Sequence, residues 1–145
     1  MTSSTLTDFE RGWISALIDG EGSLRLRERD DSQTYKPSIA ITNTSREILE
    51  KFQEIVPDPK IYDEKQDKDE WNDQYQLAVW KHSTIRNLLE QIEGRMVIKK
   101  QKAKLMTEFL ERRAKSERSR DEEGHFISSE TDPEERRILE DFRRL

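Results

Sequence analysis

The 145-residue sequence contains no cysteine, and this absence excludes a disulfide framework and a thiolate metal site. Only two histidines are present, and neither is placed with a serine or an aspartate in the manner of a catalytic triad. No apolar run approaches the roughly 20 residues that a bilayer-crossing helix requires. The first residues also have neither the basic nor the apolar segment of a signal peptide. We therefore expect an intracellular protein that is not secreted and has no membrane partner.

The net charge of −5 does not by itself suggest a polyanion as a partner. Its distribution along the chain is more informative, because residues 95–120 contain ten basic and three acidic residues, whereas residues 121–145 contain nine acidic and four basic residues. A basic segment is therefore followed by an acidic tail. This pattern permits nucleic-acid binding without requiring it.

Hydrophobic periodicity predicts an α+β domain. The segment Thr7–Glu10 has capping-box spacing and starts a helix that runs to about Ile18, with Phe9, Trp13 and Leu17 as an apolar stripe. Alternating patterns predict strands at 23–29, 36–42, 60–64 and 74–81, and helical patterns follow at 46–55, 84–94, 97–115 and 133–145. The order is α-β-β-α-β-β-α, and adjacent strands imply antiparallel pairing. We expect one domain over residues 1–115, and a polar, acidic loop and helix over 116–145 that packs on or extends it.

One face of the first helix carries only small or short side chains. Two helices approach each other closely only where the facing side chains are small. The pattern therefore predicts that this face packs against another helix, through Gly12, Ser15, Ala16 and Asp19.

The first helix also ends in two carboxylates, Asp19 and Glu21, which oppose the helix macrodipole. The stretch around them, ISALIDGEG (residues 14–22), resembles the signature of the LAGLIDADG homing endonucleases, with a glutamate as its last acid. Two further segments resemble the same family in order and spacing: IAITNTSREILEKFQEIV (39–56) and HSTIRNLLEQIEGRMVIKKQKAKLMTEFL (82–110). The resemblance covers about 100 residues of the chain.

The resemblance implies the LAGLIDADG fold, in which a saddle-shaped antiparallel sheet binds double-stranded DNA. It implies an intron-encoded endonuclease that hydrolyses phosphodiester bonds with Mg²⁺, or with Mn²⁺ as a substitute, and needs no covalent nucleophile. Glu21 and the carbonyl of Gly20 would hold the metal, since Mg²⁺ prefers such hard oxygen ligands. The signature occurs once, so cutting both strands would require a C2 homodimer and a long pseudopalindromic target.

Two more catalytic positions are implied by the resemblance. Asn43 matches the polar residue that follows the second strand in the family and holds an active-site water. Lys99 matches the lysine that precedes the long helix and organises water around the scissile phosphate. The resemblance gives Asp19 a mainly structural role, either as a cap or as a bridge between the paired helices.

The DNA-reading surface expected from the resemblance follows from strand alternation, which places arginines and leucines of the first strand on opposite faces. An antiparallel ribbon can enter the major groove, where arginine suits bidentate contact with guanine. The set of outward positions comprises Arg25, Arg27, Arg29, Lys36, Ser38, Ala40, Gln76 and Ala78, with Lys60 and Tyr62 from the third strand.

Other interpretations remain open. A chain on the same scaffold could be a splicing maturase that binds intron RNA, or a DNA-binding regulator that does not cut. A third interpretation is a structural domain that dimerises through its first helix. Glu21 could also be an ordinary polar residue in a glycine-rich turn, and the arginine row an ordinary solvated strand face.

Overall fold

The computed structural model describes residues 5–28, 35–64, 74–117 and 133–145. Along the chain they form α1 (Asp8–Glu21), β1 (Gly22–Glu28), β2 (Tyr35–Asn43), α2 (Arg46–Ile55), β3 (Lys60–Glu64), β4 (Gln74–Val79), α3 (His82–Ile92), a 3₁₀ turn (Glu93–Arg95), α4 (Lys100–Glu117) and α5 (Pro133–Arg144). This order confirms the α+β fold and the α-β-β-α-β-β-α arrangement. Arg29, the predicted turns at 30–32 and 65–73, and most of the predicted loop after α4 lie outside the described residues.

The four strands form one antiparallel sheet in the order β1-β2-β4-β3. Leu24 lies opposite Ile39, and Ile39 lies opposite Val79, so these apolar side chains share one face of the sheet. They join a single core with fully buried side chains from the helices, among them Phe52 of α2 and Phe109 of α4. The other face of the sheet is thereby left for polar and charged residues.

Helix α1 begins as its sequence predicts. Thr7 Oγ1 accepts a hydrogen bond from Glu10 N at 3.1 Å, and Glu10 Oε1 accepts one from Thr7 N at 2.9 Å, which completes the capping box. The helix ends at Glu21 rather than near Ile18, because helical hydrogen bonding continues until Gly22 N donates to Ile18 O. Gly20 and Glu21 therefore lie in the last helical turn.

The predicted apolar stripe of α1 is wrong at its first position. Phe9 is 71% exposed, Trp13 is partly buried and Leu17 is buried. The helix buries a different stripe, formed by Ile14, Ser15, Leu17 and Ile18. Phe9 lies on a different side of the helix from these buried residues, and its side chain is exposed to solvent.

The C-terminal helix α5 packs against α4. Its residues Ile138, Leu139 and Phe142 belong to the same hydrophobic core as the preceding helices. The buried carboxylate of Glu135 lies 3.3 Å from the guanidinium of Arg113 on α4. This ion pair compensates the negative charge that Glu135 places in the contact between α4 and α5. None of the helices within the described ranges is long and apolar enough to cross a membrane.

The junction between α1 and β1 accepts only glycine. A Cβ atom at Gly22 would lie 2.9 Å from both the Cα and the carbonyl oxygen of Ile18, closer than real contacts allow. We expect Gly22→Ala to lower the free energy of unfolding by about 1–3 kcal/mol, the usual cost of forcing added carbon into a packed site. Urea denaturation measures this difference.

Gly94→Ala is the matched control, because a Cβ atom at Gly94 would meet nothing within 4 Å. The control should be close to the wild type. Equal losses for the two variants would show that the close approach at Gly22 does not limit the junction.

Candidate active site and nucleic-acid interface

Asp19 joins the end of α1 to the turn that precedes α4. Its Oδ2 accepts a hydrogen bond from Val97 N at 2.6 Å, and its Oδ1 accepts hydrogen bonds from Lys99 N at 2.9 Å and Ile98 N at 3.2 Å. Three successive backbone N–H groups thus converge on one carboxylate. We call this arrangement the Asp19 clamp.

The environment of the clamp lowers the pKa of Asp19. Burial alone would raise that pKa, but the backbone hydrogen bonds from Val97, Lys99 and Ile98 together with the positive charge of Lys99 outweigh the effect of burial. The net result is a pKa below the ordinary value of 3.8. Asp19 was expected to have a structural role, as a cap or as a bridge between paired helices, and its carboxylate caps the turn before α4 of its own chain.

Lys99 is fixed by the same contact. Its Nζ donates a hydrogen bond to the backbone oxygen of Asp19 at 2.6 Å, and its own backbone oxygen accepts from Ala103 N at 2.9 Å in the first turn of α4. The ammonium group therefore lies at the C-terminus of α1, where a cation interacts favourably with the helix dipole. The structure brings Lys99 to the helix end that carries Glu21.

Gly20 and Glu21 are both exposed at that end of α1. In the part of the chain that the structure describes, no side chain pairs with Glu21. Its carboxylate and the Gly20 carbonyl are hard oxygen donors, which suit Mg²⁺. The same part of the chain contains no group of three or more acidic, histidine or cysteine residues that could hold a metal ion. These donors therefore fit a divalent cation only as a partial set, to be completed by another molecule.

Asn43 is the last residue of β2 and has a structural contact of its own. Its Oδ1 accepts a hydrogen bond from Ser45 N at 2.8 Å, in the turn that opens α2. Ile41 lies opposite Gly22, so Asn43 lies two residues beyond that pair, on the side where α1 enters β1. The expected position near the end of α1 agrees with this register. The Nδ2 group of the carboxamide is the donor that Asn43 could offer to a water or a phosphate.

The predicted DNA-facing positions of the described strands share one face of the sheet. Ala40 lies opposite Ala78 in the centre, with Lys60 opposite Ala78 on the other side. The remaining rows follow the same register and contain Arg25 with Ser38, Arg27 with Lys36, and Tyr62 with Gln76. We call this surface the outer face.

Small buried residues occupy the centre of the outer face, and longer exposed residues surround them. Ser38, Ala40 and Ala78 are only 1%, 6% and 6% exposed. They were expected to project outward, but their side chains are too short to rise above their neighbours. Lys36 and Lys60 are exposed, and Tyr62 is 50% exposed. The long side chains thus surround a low centre.

Two cations of the outer face have no acidic partner among the described residues. Across the described ranges no carboxylate pairs with Arg25 or Lys60, whereas Arg46 of α2 is paired with Asp63 at 3.2 Å. Lys36, a further cation of this face, lies opposite position 27 in the register. Such a surface suits an anionic partner.

Trp80 belongs to the outer face, although the sequence analysis did not include it. It follows the last residue of β4, and Lys36 Nζ lies 4.4 Å from the centroid of its ring. It is 44% exposed. The alternation of Gln76 and Ala78, extended by two residues, would have identified it.

Gly12, Ala16 and Gly20 form a stripe of small residues on α1 at helical spacings of four residues; Ala16 and Gly20 are exposed and Gly12 is half-buried, and we call these three residues the exposed stripe. A Cβ atom at Gly12 or Gly20 would meet nothing within 4 Å, and Ala16 is exposed. Ser15 was expected on this face, but it is 4% exposed, and its Oγ donates to Gly12 O at 3.0 Å. The small surface of α1 is therefore rotated away from Ser15 and Asp19.

The lowered pKa of Asp19 predicts a pH-dependent contribution to stability. Because the folded-state pKa lies below the unfolded one, the contribution is present above about pH 4 and is lost as the pH falls through the folded-state value. Asp19→Asn should lower the free energy of unfolding at pH 7 by about 2 kcal/mol, the scale of hydrogen bonds to a charged group. Urea denaturation at pH 7 and pH 3 should show the difference shrinking at the lower pH. A difference that is the same at both values would contradict a charged clamp.

Comparison with known proteins identifies the fold. The model of the LAGLIDADG-like domain family matches residues 8–93. None of the curated protein sequences matches the chain.

Solved structures of homing endonucleases share the fold at low sequence identity. The archaeal intron-encoded I-Vdi141I, complexed with DNA, is 18% identical with a TM-score of 0.60, over 94% of this chain and 96% of that chain. I-TnaI is 17% identical with a TM-score of 0.59, over 94% and 100%. I-CvuI, in complex with its target in the presence of Ca, is 15% identical with a TM-score of 0.59, over 93% and 95%.

A second I-CvuI complex was solved with I-CreI target DNA that is not cleaved in the presence of Mg. The present protein spans 66% of the length of that I-CvuI chain, with a TM-score of 0.57. The predicted recognition and the predicted fold are thus confirmed. Because the family model spans more than half of the sequence, and the same strand and helix order recurs in these structures, the protein belongs to the LAGLIDADG family.

Proposed function

We propose that the protein is an intron-encoded homing endonuclease that binds a long pseudopalindromic DNA duplex and cuts both strands as a C2 homodimer with Mg²⁺ or Mn²⁺. The observation that carries the proposal is Glu21 at the end of α1, which is exposed and has no side-chain partner among the described residues, with the Lys99 ammonium fixed at the same helix end. The family assignment supports it, as do relatives that were solved as DNA complexes, such as I-Vdi141I.

Each residue at the helix end has a separate task in this proposal. Glu21 and the Gly20 carbonyl hold the divalent cation, which when bound supplies Lewis-acid stabilisation of the charge that develops on the phosphate and the leaving oxygen. Lys99 contributes a fixed positive charge beside the phosphate. Asn43 presents its Nδ2 group to the water layer. Asp19 takes no direct part, because its carboxylate is engaged by three N–H groups.

The outer face supplies binding and sequence reading. Arg25 and Lys60 have no acidic partner within the described ranges, so phosphates or guanine acceptors are the groups that would satisfy them. Gln76 and Tyr62 add neutral hydrogen-bonding groups to the same surface. Arg27 shares this face through its register, and Arg29 follows it in the sequence beyond the described part of β1.

The homodimer is proposed from two glycines that the single chain does not require. Glycine inside a helix costs about 1 kcal/mol relative to alanine, yet a Cβ atom at Gly12 or Gly20 would meet nothing within 4 Å. A second helix packed against this stripe would explain the small side chains, because they let the two helix backbones approach closely. It also places a second Glu21 beside the first and completes the donor set.

We expect Glu21→Gln to abolish cutting and leave DNA binding intact. The amide keeps the size of the side chain but loses the charge that attracts the cation, so the cutting rate should fall by about 10²–10³-fold or more. The experiment incubates both proteins with a library of duplexes in Mg²⁺ and sequences the cut and the bound DNA.

Double-strand cuts by the wild type, with binding alone by the variant, are the expected result. Binding of RNA alone would favour a maturase, and binding of DNA without cuts by either protein would favour a regulator. Either of these outcomes would overturn the endonuclease proposal.

We expect Ala16→Glu to prevent dimerisation. Ala16 lies at the middle of the exposed stripe of α1, so in a symmetric dimer the two new carboxylates would face each other in a buried contact. Analytical ultracentrifugation should show the wild type at twice the chain mass of 17.3 kDa and the variant at the chain mass. Ser83→Glu adds the same charge at the exposed start of α3 and is the control. A wild type that sediments as one chain would contradict the proposal.

A further inference from the structure

Trp80 is an apolar residue in an otherwise charged and polar surface. It is 44% exposed on the outer face, beside Ser38, Ala40 and Ala78, which form the low centre. A large aromatic side chain left in water costs free energy, and such residues are enriched where a partner covers them. Trp80 is therefore suited to contact whatever partner lies against the outer face.

Lys36 occupies one side of the Trp80 ring. Its Nζ lies 4.4 Å from the ring centroid, within the range in which a cation is attracted to an aromatic face. This contact restricts a long side chain that would otherwise sample many rotamers, and less freedom is then lost when the ammonium meets an anion. The edge and the opposite side of the indole remain available.

The register adds an independent observation. Lys36 lies directly opposite Arg27, so two cationic residues occupy a cross-strand pair at this end of the outer face. The register therefore places a second cationic residue at the end of the outer face that holds Lys36, and this charge suits an anionic partner.

We propose that Trp80 is a DNA-contacting residue, which packs against the methyl group of a thymine in the major groove and orders Lys36 for contact with a phosphate. This inference rests on the proposed DNA-binding function. In an intact duplex the base faces are stacked and closed to the indole, so the thymine methyl is the apolar group that the major groove offers. The ammonium of Lys36, by contrast, is a point charge that suits a phosphate oxygen.

The test uses a duplex that the wild type selects from a randomised library, with affinities measured in Ca²⁺ so that the DNA stays uncut. Trp80→Ala should weaken binding by about tenfold, the scale of one good base contact. It should leave the slope of log K against log salt nearly unchanged, because no charge is removed. Lys36→Met should lower that slope by about 0.9, the value of one phosphate contact.

Replacement of each thymine by uracil removes one methyl group at a time. At one position in each half-site the wild type should lose affinity by about fourfold, the value of one buried methyl-sized group. The Trp80→Ala variant should be insensitive to the same replacement. Leu145→Ala, which shortens a 51% exposed residue at the end of the chain, is the control and should bind as the wild type does.

The outcomes separate the inference from the function on which it rests. A wild type that selects no duplex contradicts DNA binding itself. If the wild type binds its duplex, and Trp80→Ala binds equally well or remains as sensitive to uracil as the wild type, then Trp80 only covers its neighbours and the inference is wrong. Thermal denaturation of the variant confirms that lost affinity does not reflect unfolding.

Discussion

The hydrogen bonds from Val97, Ile98 and Lys99 to the Asp19 carboxylate join the C-terminus of α1 to the N-terminus of α4. An acid at a helix C-terminus is unfavourable by itself. Here the carboxylate faces the N–H groups that lead into another helix, and the Lys99 ammonium binds the carbonyl of the same aspartate. The two acids therefore differ in role: the Asp19 carboxylate is bound within the chain, whereas Glu21 has no side-chain partner among the residues that the structure describes.

The sheet divides the remaining tasks between its two faces. Its inner face joins the helices in one hydrophobic core, which fixes the strands. On its outer face, Arg25 and Lys60 have no acidic partner among the described residues. In the proposed function a nucleic acid supplies the compensating charge, and α1, which ends in Glu21, leads directly into β1 of that surface.

The sequence predicted the elements well because their signals are local. The capping box at Thr7, the alternation in β1 and the bounds of β3 depend on neighbouring residues and agree with the structure. The errors arise where tertiary contacts decide. The sequence of α1 is compatible with a small face through Ser15 and Asp19, but Ser15 is buried and Asp19 bonds to a turn 78 residues away.

In the candidate site, too, local patterns were predicted correctly and tertiary contacts were not. Alternation identified the outward positions of the strands, since the face of a strand residue follows from its parity. The depth of those positions did not follow, because the exposure of Ser38 depends on the length of side chains from other strands. Trp80 lies within the strand predicted at 74–81 and has the parity of Gln76 and Ala78, so alternation alone predicts its face, whereas its contact with Lys36 depends on another strand. The contact of Asn43 with Ser45 depends on a turn whose geometry the sequence leaves open.

The tight contact between Gly22 and Ile18 has a consequence for how such proteins diverge. It ties the end of α1 closely to the start of β1, so in the proposed endonuclease the distance between Glu21 and the outward residues of β1 is rigid. On that proposal, new targets would be acquired by exchanging side chains on the strands, while the distance between the metal-binding end of α1 and the base-reading side chains stays the same from one target to the next.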